Sequence, residues 1–294
     1  MTEQTLERSD LGVTPLIPEE FAARYRQAGY SIDQTIPEFL LDACRAKPHF
    51  PALVALSHAH LQEDGKPQQV RYSYAELEAA GRAAAARIAA AGVQPGDRVL
   101  LQLGNTAEYL IYLMGIFWAG ALPVFCLPQH RTSELTHFAA RADAAAHVYS
   151  SRTPGTDFTA LHQDVSKQLQ AEGLNPPVGI DAAEPLVPLS DEQLAEPFVP
   201  AVIKNTDSPR ASEQVAFLQL SGGTTGVSKL IPRTHAAYLY SVRGSADICN
   251  LTCNTTMLVA LPAAHNFTMS SPGILGAMCV KAKMVFAADP SPQT

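Results

Sequence analysis

The chain has 294 residues and a formal net charge of -7, with 47% hydrophobic and 17% charged residues. This composition excludes a disordered chain and predicts a packed core of one large domain or two small ones. The acidic balance, without a dense run of Lys or Arg, argues against nucleic acid as a partner.

The first 70 residues are predicted to form an N-terminal helical lead-in. The stretch EEFAARYRQAGY places Phe21 and Tyr25 on one helical face, and Gly29 can end the helix. The polar start MTEQTLERSD is unlike a secretory signal. The five cysteines form no CxxC pair and complete no metal set, which is typical of reduced thiols. We therefore expect a cytoplasmic protein without a bound structural metal.

Residues 71–150 are predicted to form a first α/β segment. Ser73 and Glu76 have capping-box spacing ahead of an Ala-rich helix that Gly92 closes. A second helix begins near Thr106, and Ser133 is expected to cap a third. Strands are predicted at RYSY, VLLQL, ALPVFCL and AHVYS. Because strands alternate with helix-length crossovers, the pattern predicts a mostly parallel sheet.

One segment has almost the length needed to cross a membrane. Residues 109–127 contain no charge, but Gly120 and Pro123 interrupt them. A buried helix followed by a buried strand is the interpretation that fits an α/β core. No membrane partner is expected.

Residues 151–210 are predicted to be a Pro-rich, acidic connection with one helix near 159–171. They hold eight prolines and nine Asp or Glu against four Lys or Arg. Residues 211–294 then resume the alternation as a second α/β segment. Its predicted elements are the strands VAFLQL, KLIPRTH, TMLVALP and KMVFAA and helices near 236–248 and 272–280.

A glycine loop is the strongest chemical signal in the chain. Directly after the apolar strand VAFLQL come Ser221, Gly222, Gly223, Thr224, Thr225, Gly226, Val227, Ser228 and Lys229. Glycines allow a close backbone approach to a ligand, main-chain N–H groups and hydroxyls form an anion cradle, and a lysine adds positive charge. The loop therefore predicts a site for the phosphates of ATP.

This loop has three alternative interpretations. Val227 and Ser228 separate Gly226 from Lys229, so the GxxxxGK[ST] P-loop pattern fails, and no GxGxxG dinucleotide pattern is present. A flexible surface loop remains open, but glycines, hydroxyls and a lysine in this order between two apolar strands favour phosphate binding.

The stretch FLQLSGGTTGVSKLIPRTH resembles the phosphate-binding signature of the adenylate-forming superfamily. RYSYAELEAAG, WAGALPVFCLP and LPAAHNFTMSSPG are similar to three further motifs of this superfamily, in the same order. The Gly-Gly-Thr-Thr loop, LIPRTH and AHNF resemble the aryl-acid branch, which makes 2,3-dihydroxybenzoyl- or salicyl-adenylate for siderophores. The resemblance implies an α/β fold with layered αβαβα architecture and mostly parallel sheets, the incomplete N-terminal large domain of such an enzyme.

The resemblance also implies a mechanism. The carboxylate of the acid attacks the α-phosphate of ATP, and pyrophosphate leaves, so catalysis rests on positioning and charge stabilisation. Thr224, Thr225 and Lys229 are the expected contacts of the β- and γ-phosphates, and Mg²⁺ is expected to bridge the phosphates. The acyl group then passes to a phosphopantetheine thiol on an aryl carrier protein.

His265 and Asn266 follow the strand MLVALP and match the family's acid-pocket loop. The resemblance places His265 between the acid and the phosphates, whereas the other eight histidines, His58 and His60 among them, are interpreted as structural. Asn266 is neutral, so it suits a phenolic hydroxyl and not the ammonium group of an amino acid. Phe267 offers an aromatic wall or packs in the core.

Ser271 bears on the choice of acid. In the resembling enzymes, Ser at this position accompanies 2,3-dihydroxybenzoate and Cys accompanies salicylate. A hydroxyl can pair with the 3-hydroxyl of the acid, which otherwise costs about 1–3 kcal/mol to bury. Phe267, where dihydroxybenzoate enzymes often carry Tyr, points the other way. We favour 2,3-dihydroxybenzoate, and a helix cap ahead of Pro272 is a second role open to Ser271.

Members of the family are longer and carry later motifs that contact adenine and ribose, a hinge and a C-terminal lysine. We therefore expect the 294-residue chain alone to adenylate weakly or not at all. Two other functions remain open at this point, an aryl- or acyl-CoA ligase and a non-catalytic remnant that binds a ligand or partner.

Overall fold

The computed structural model describes residues 18–201, 210–221 and 228–291. Its helices are α1 (Glu19–Gln27), α2 (Ile36–Ala46), α3 (Tyr74–Ala90), α4 (Ala107–Trp118), α5 (Thr132–Ala142), α6 (Phe158–Ala171), α7 (Asp191–Ala195), α8 (His235–Ile248), α9 (Asn266–Ser270) and α10 (Gly273–Val280). Its strands are β1 (Pro51–Leu61), β2 (Pro67–Ser73), β3 (Arg98–Leu101), β4 (Leu122–Phe125), β5 (Ala144–Tyr149), β6 (Val178–Asp181), β7 (Val215–Leu220), β8 (Leu230–Thr234), β9 (Thr256–Val259) and β10 (Lys283–Phe286).

The described strands form two sheets. The first has the order β2-β1-β10-β9, and the second has the order β6-β5-β3-β4-β7-β8. Two hairpins, β1–β2 and β7–β8, are antiparallel, and the other pairings are parallel. The predicted mostly parallel α/β architecture is therefore confirmed.

Helix α4 lies between the two sheets and is buried on every side. Its partner α3 approaches closely because small residues face each other: a Cβ on Gly115 would lie 2.7 Å from the Cβ of Ala84. The indole N–H of Trp118 donates to the carbonyl of Pro37 over 3.1 Å. The uncharged run therefore forms a core helix and strand, and no described helix has the length and apolarity needed to cross a membrane.

Local signals for helix starts are confirmed where both partners are close in sequence. Ser73 and Glu76 form the predicted capping box at the start of α3. The prediction for Ser133 is wrong, because α5 begins one residue earlier at Thr132. The start of α2 combines a local capping box of Thr35 and Glu38 with a distant partner: the N–H of Ile36 donates to Nδ1 of His235 over 3.1 Å.

The helical lead-in needs correction, because β1 fills positions 51–61 at the centre of the first sheet. Ser and His interrupt the apolar residues of this strand, its local partner is β2 across the hairpin, and its parallel partner β10 lies more than 200 residues later. The connection 151–210 also contains more structure than predicted. In addition to α6 it holds α7 and β6, which extends the second sheet beyond β5.

Candidate functional site

The hairpin of β7 and β8 carries the predicted phosphate loop. At its base the N–H of Ser221 donates to the carbonyl of Lys229 over 2.9 Å. The N–H of Lys229 returns a hydrogen bond to the Ser221 hydroxyl over 2.8 Å. Two reciprocal bonds therefore close the loop, and the side chain of Lys229 is exposed beside it. Residues 222–227 lie outside the described residues, so the roles predicted for Gly222, Gly223, Thr224, Thr225 and Gly226 stay predictions.

The loop follows the carboxyl end of β7, at the edge of the second sheet where its parallel strands end. Strand β7 runs parallel to β4, so its last residue, Leu220, lies at the carboxyl edge of the parallel strands. Ligands of open α/β sheets bind outside this edge. The position fits the predicted phosphate site.

His265 lies immediately before α9, after strand β9 of the first sheet. Its Nδ1 accepts a hydrogen bond from the N–H of Phe267 over 3.3 Å. In a neutral ring whose Nδ1 accepts, the proton is carried by Nε2. The imidazole is exposed, which leaves Nε2 as an accessible donor in that tautomer.

Asn266 is held by two hydroxyl groups. The phenol of Tyr238 donates to its Oδ1 over 2.9 Å. The Ser270 hydroxyl lies 3.2 Å from the main-chain oxygen of Asn266 and 3.5 Å from Oδ1. No described residue accepts a hydrogen bond from Nδ2 of Asn266. Nδ2 is therefore a donor without a partner among the described residues, on the residue that follows His265.

Tyr238 joins the two segments that the sequence analysis singled out. It lies on α8, is 1% exposed, and packs edge-on against Phe217 of β7 with ring centroids 4.6 Å apart. The guanidinium of Arg233 on β8 lies 5.5 Å from its ring centre. Burial raises the pKa of Tyr238 to about 12, so its hydroxyl keeps its proton at neutral pH. Sequence reasoning missed this residue, because nothing local distinguishes it from the other eight tyrosines.

The positions of Phe267 and Ser271 decide two alternatives left open by the sequence, core packing of Phe267 and a helix cap at Ser271. Phe267 is 58% exposed, so ordinary core packing is the wrong interpretation of this residue. Ser271 follows the last residue of α9 and precedes a cis bond to Pro272, and it is Pro272 that precedes α10. The predicted helix cap at Ser271 is therefore wrong, and no described residue hydrogen-bonds to its hydroxyl.

The two histidines with suggestive spacing have structural partners. Nδ1 of His58 lies 2.8 Å from the Ser150 hydroxyl, and Nδ1 of His60 lies 3.0 Å from the Ser57 hydroxyl. Among residues 18–201, 210–221 and 228–291, no three His, Cys, Asp or Glu side chains cluster in a way that could hold a metal ion.

The fold is that of the N-terminal domain of adenylate-forming enzymes. A family model described as AMP-binding enzyme matches residues 40–294, and the chain belongs to this family.

Three similar proteins are aryl-acid ligases or structures of comparable sequence identity. The chain is 38% identical over 281 residues to the 2,3-dihydroxybenzoate-AMP ligase of Bacillus subtilis, covering 96% of this chain and 48% of that protein. It is 40% identical over 279 residues to the salicyl-AMP ligase / salicyl-S-ArCP synthetase of Mycobacterium tuberculosis, covering 94% and 46%. The apo structure of MbtA from Mycobacterium smegmatis superposes with a TM-score of 0.74 at 39% identity, covering 96% and 49%. The chain therefore spans about half the length of these relatives.

Proposed function

We propose that the chain takes part in the ATP-dependent activation of an aromatic carboxylic acid to its acyl-adenylate. The activated acyl group would be loaded onto a phosphopantetheinylated aryl carrier protein in siderophore biosynthesis, in the cytoplasm. Support comes from the site geometry and from the relatives, whose names include a dihydroxybenzoate-AMP ligase and a salicyl-AMP ligase.

One observation carries the proposal: His265 and Asn266 are consecutive exposed residues, and hydrogen bonds accepted by Nδ1 of His265 and by Oδ1 of Asn266 leave Nε2 and Nδ2 as donors. A pair of donors suits a ligand rich in acceptors, such as a carboxylate with an ortho hydroxyl. Neither side chain can neutralise an ammonium group. The exposed ring of Phe267 lies next in sequence and offers apolar contact to an aromatic ring.

The chemistry requires no protein nucleophile. A carboxylate oxygen forms a bond to the α-phosphorus, the bond from that phosphorus to the bridging oxygen breaks, and pyrophosphate leaves with both bonding electrons. Lys229 and the main-chain N–H groups of the glycine loop would hold the β- and γ-phosphates and stabilise the charge of the leaving group. Mg²⁺ would enter with the triphosphate and neutralise part of its charge. His265 would donate to an oxygen of the acid or the α-phosphate and align the two reactants.

We infer that 2,3-dihydroxybenzoate is preferred over salicylate. The Ser271 hydroxyl has no hydrogen-bond partner among the described residues, and Ser271 directly follows α9, the one-turn helix that begins with Asn266 and Phe267. It is therefore available to a second ring hydroxyl. A partner for that group lowers the cost of burying it, which is about 1–3 kcal/mol when no bond is made.

The test is aryl-acid-dependent ATP–pyrophosphate exchange, measured on a polypeptide of the relatives' full length and separately on the 294-residue chain. We expect Lys229→Ala in the longer polypeptide to lower kcat/KM for ATP about tenfold to a hundredfold, because a bond to a charged group contributes about 1.5–3 kcal/mol. Gly223→Val is expected to have a similar effect. Lys167→Ala is the matched control, since this exposed lysine pairs with Asp164 on α6. Unchanged ATP use in both loop variants would disprove the assignment.

The same preparation separates the two alternative functions. Transfer of the acyl group to a carrier protein but not to coenzyme A supports the proposal, and the reverse supports a CoA ligase. A full-length polypeptide that binds the acid without any exchange would support a non-catalytic binding protein. We expect exchange by the 294-residue chain alone to be weak or absent.

A further inference from the structure

The side chain of Asn105 links the two sheets directly behind the loop that carries His265. Asn105 lies between β3 and α4 and is 5% exposed. Its Oδ1 accepts a hydrogen bond from the N–H of Ala263 over 2.8 Å. Its Nδ2 donates to the carbonyl of Leu261 over 3.0 Å and to that of Ala287 over 3.0 Å.

These bonds use both ends of the amide. The carbonyl of Val259 lies 3.4 Å from Nδ2, so the two amide hydrogens serve three acceptors and the oxygen serves one donor. A buried amide with every group paired is a strong geometric constraint, since any displacement leaves a buried group unsatisfied.

The partners of Asn105 lie where two neighbouring strands end. Strands β9 and β10 are adjacent and parallel, and the partner carbonyls belong to the last residue of β9, the turn after it and the residue after β10. Beyond Ala263 the chain makes a tight turn, in which the N–H of His265 donates to the carbonyl of Pro262 over 3.0 Å. The amide of Asn105 therefore hydrogen-bonds to this turn at Ala263, two residues before His265.

We infer that Asn105 is a positioning residue, which fixes the turn at residues 260–264 and thereby the direction of the His265 imidazole. The role of His265 in aligning the acid with ATP rests on the proposed function, but the mechanical link between Asn105 and His265 does not. A purely structural role would stabilise the whole domain and leave the orientation of His265 unchanged when the domain is folded.

Gln102 offers a matched control three residues away. Its side chain is 1% exposed, and its Nε2 donates to the carbonyls of Leu127 and His130 over 3.1 and 3.0 Å. It is likewise a buried amide that holds a loop after a strand. The partners of its Nε2 follow β4, its Oε1 lies 3.2 Å from Nε2 of His147 on β5, and none of these residues belongs to the His265 turn. Asn105→Asp and Gln102→Glu therefore remove equivalent donors from different loops.

The experiment records the imidazole C–H signal of His265 by NMR in the 294-residue chain without ligand, with His265→Gln to assign it. We expect Asn105→Asp and Asn105→Ala to shift or split this signal. Gln102→Glu is expected to lower the melting temperature by a comparable amount and to leave the signal in place. An unmoved signal in folded Asn105 variants, or an equal shift in Gln102→Glu, would overturn the inference.

A second measurement needs no variant. Because its N–H is bonded to the Asn105 side chain, Ala263 in the unaltered chain should exchange its amide hydrogen at least about tenfold more slowly than the exposed Asn266 nearby. Equal exchange rates would contradict the link.

In the full-length polypeptide, Asn105→Asp should lower aryl-acid-dependent kcat by about tenfold or more, since small misplacements of aligning groups are costly. The KM for ATP should stay within about twofold. Because the NMR and exchange measurements use no substrate, their outcome is independent of the proposed activity.

Discussion

The hydroxyl of Tyr238 donates to Oδ1 of Asn266 over 2.9 Å, and this bond sets which way the Asn266 amide points. An amide rotated by 180° would place its NH₂ group against the phenol. Burial raises the pKa of Tyr238 to about 12, so the phenol retains the proton that it donates to Oδ1. Nδ2 therefore points away from the phenol and, under the proposed function, would donate to the aryl acid. Tyr238 would then act on the acid through Asn266.

Tyr238→Phe should weaken binding of the aryl acid about threefold to tenfold, because a typical hydrogen bond contributes about 0.5–1.5 kcal/mol and the amide becomes free to rotate. The phenylalanine ring keeps the contact with Phe217, so the fold should persist. Fluorescence titration with 2,3-dihydroxybenzoate measures the effect.

Tyr240→Phe is the control for this prediction. Tyr240 lies on the same helix, is 48% exposed, and packs against Tyr30 with ring centroids 5.3 Å apart. An equal loss of affinity in both variants, or none in Tyr238→Phe, would argue against orientation of the amide by the phenol.

Asn266→Asp should weaken aryl-acid binding far more than Asn266→Ala. The alanine variant loses one donor, whereas the aspartate places a negative charge beside the carboxylate of the ligand. At about 4 Å and an effective dielectric constant near 20, two like charges repel by about 4 kcal/mol. We expect the aspartate variant to bind at least about tenfold more weakly than the alanine variant, measured by the same titration. Equal affinities would show that the ligand carboxylate is distant from Asn266.

Local signals indicate the parts of the candidate site that lie close together in sequence. The strand VAFLQL is β7 over Val215–Leu220, as predicted, because a short apolar run bounded by a turn signal is sufficient to indicate a buried strand. The hairpin base and the turn with His265 and Asn266 were predicted from motifs of similar local character. The packed α/β architecture followed from the alternation of strands and helices.

Pairings over long distances were not predictable in this way. The parallel pairing of β1 with β10, the bond from Ile36 to His235 and the bond from Tyr238 to Asn266 each join distant parts of the chain. Each link is decided by tertiary packing, which a single sequence does not display. Asn105 is a further case, since its four partners lie more than 150 residues away and the sequence around it carries no motif for them.

Ser271→Ala should reduce the preference for 2,3-dihydroxybenzoate over salicylate by about tenfold, because only the first acid has a 3-hydroxyl that loses its partner. The measurement is the ratio of kcat/KM values for the two acids in pyrophosphate exchange. Ser270→Ala is the control: Ser270 is 1% exposed and contacts Asn266, so its loss should affect both acids equally. An unchanged ratio in Ser271→Ala would remove this residue from the specificity pocket.

The stability of the chain should fall as the pH drops below about 6.5, with His147 as one cause. His147 is fully buried, with Nε2 3.2 Å from Oε1 of Gln102 and Nδ1 3.3 Å from Nδ1 of His162. Burial, together with the neighbouring His162, lowers the pKa of His147 to about 3. In the unfolded chain a histidine has a pKa near 6.5. Between that pH and about 3, the unfolded state therefore binds a proton at His147 that the folded state does not bind, which stabilises the unfolded state.

The contribution of His147 is therefore fully present above pH 6.5 and is lost as the pH falls from there towards 3. Between pH 7.5 and 5.5 it should lower the free energy of unfolding by about 1.4 kcal/mol. Urea unfolding followed by the fluorescence of the single tryptophan, buried Trp118, measures the loss at both pH values.

The control is His147→Gln, which retains a polar side chain beside Gln102 without a titratable group. Whatever its stability at pH 7.5, this variant should lose about 1.4 kcal/mol less than the unaltered chain over the same interval, since the other buried histidine with a pKa of about 3, His235, is common to both. An identical loss in the two proteins would mean that His147 takes up its proton equally well folded and unfolded.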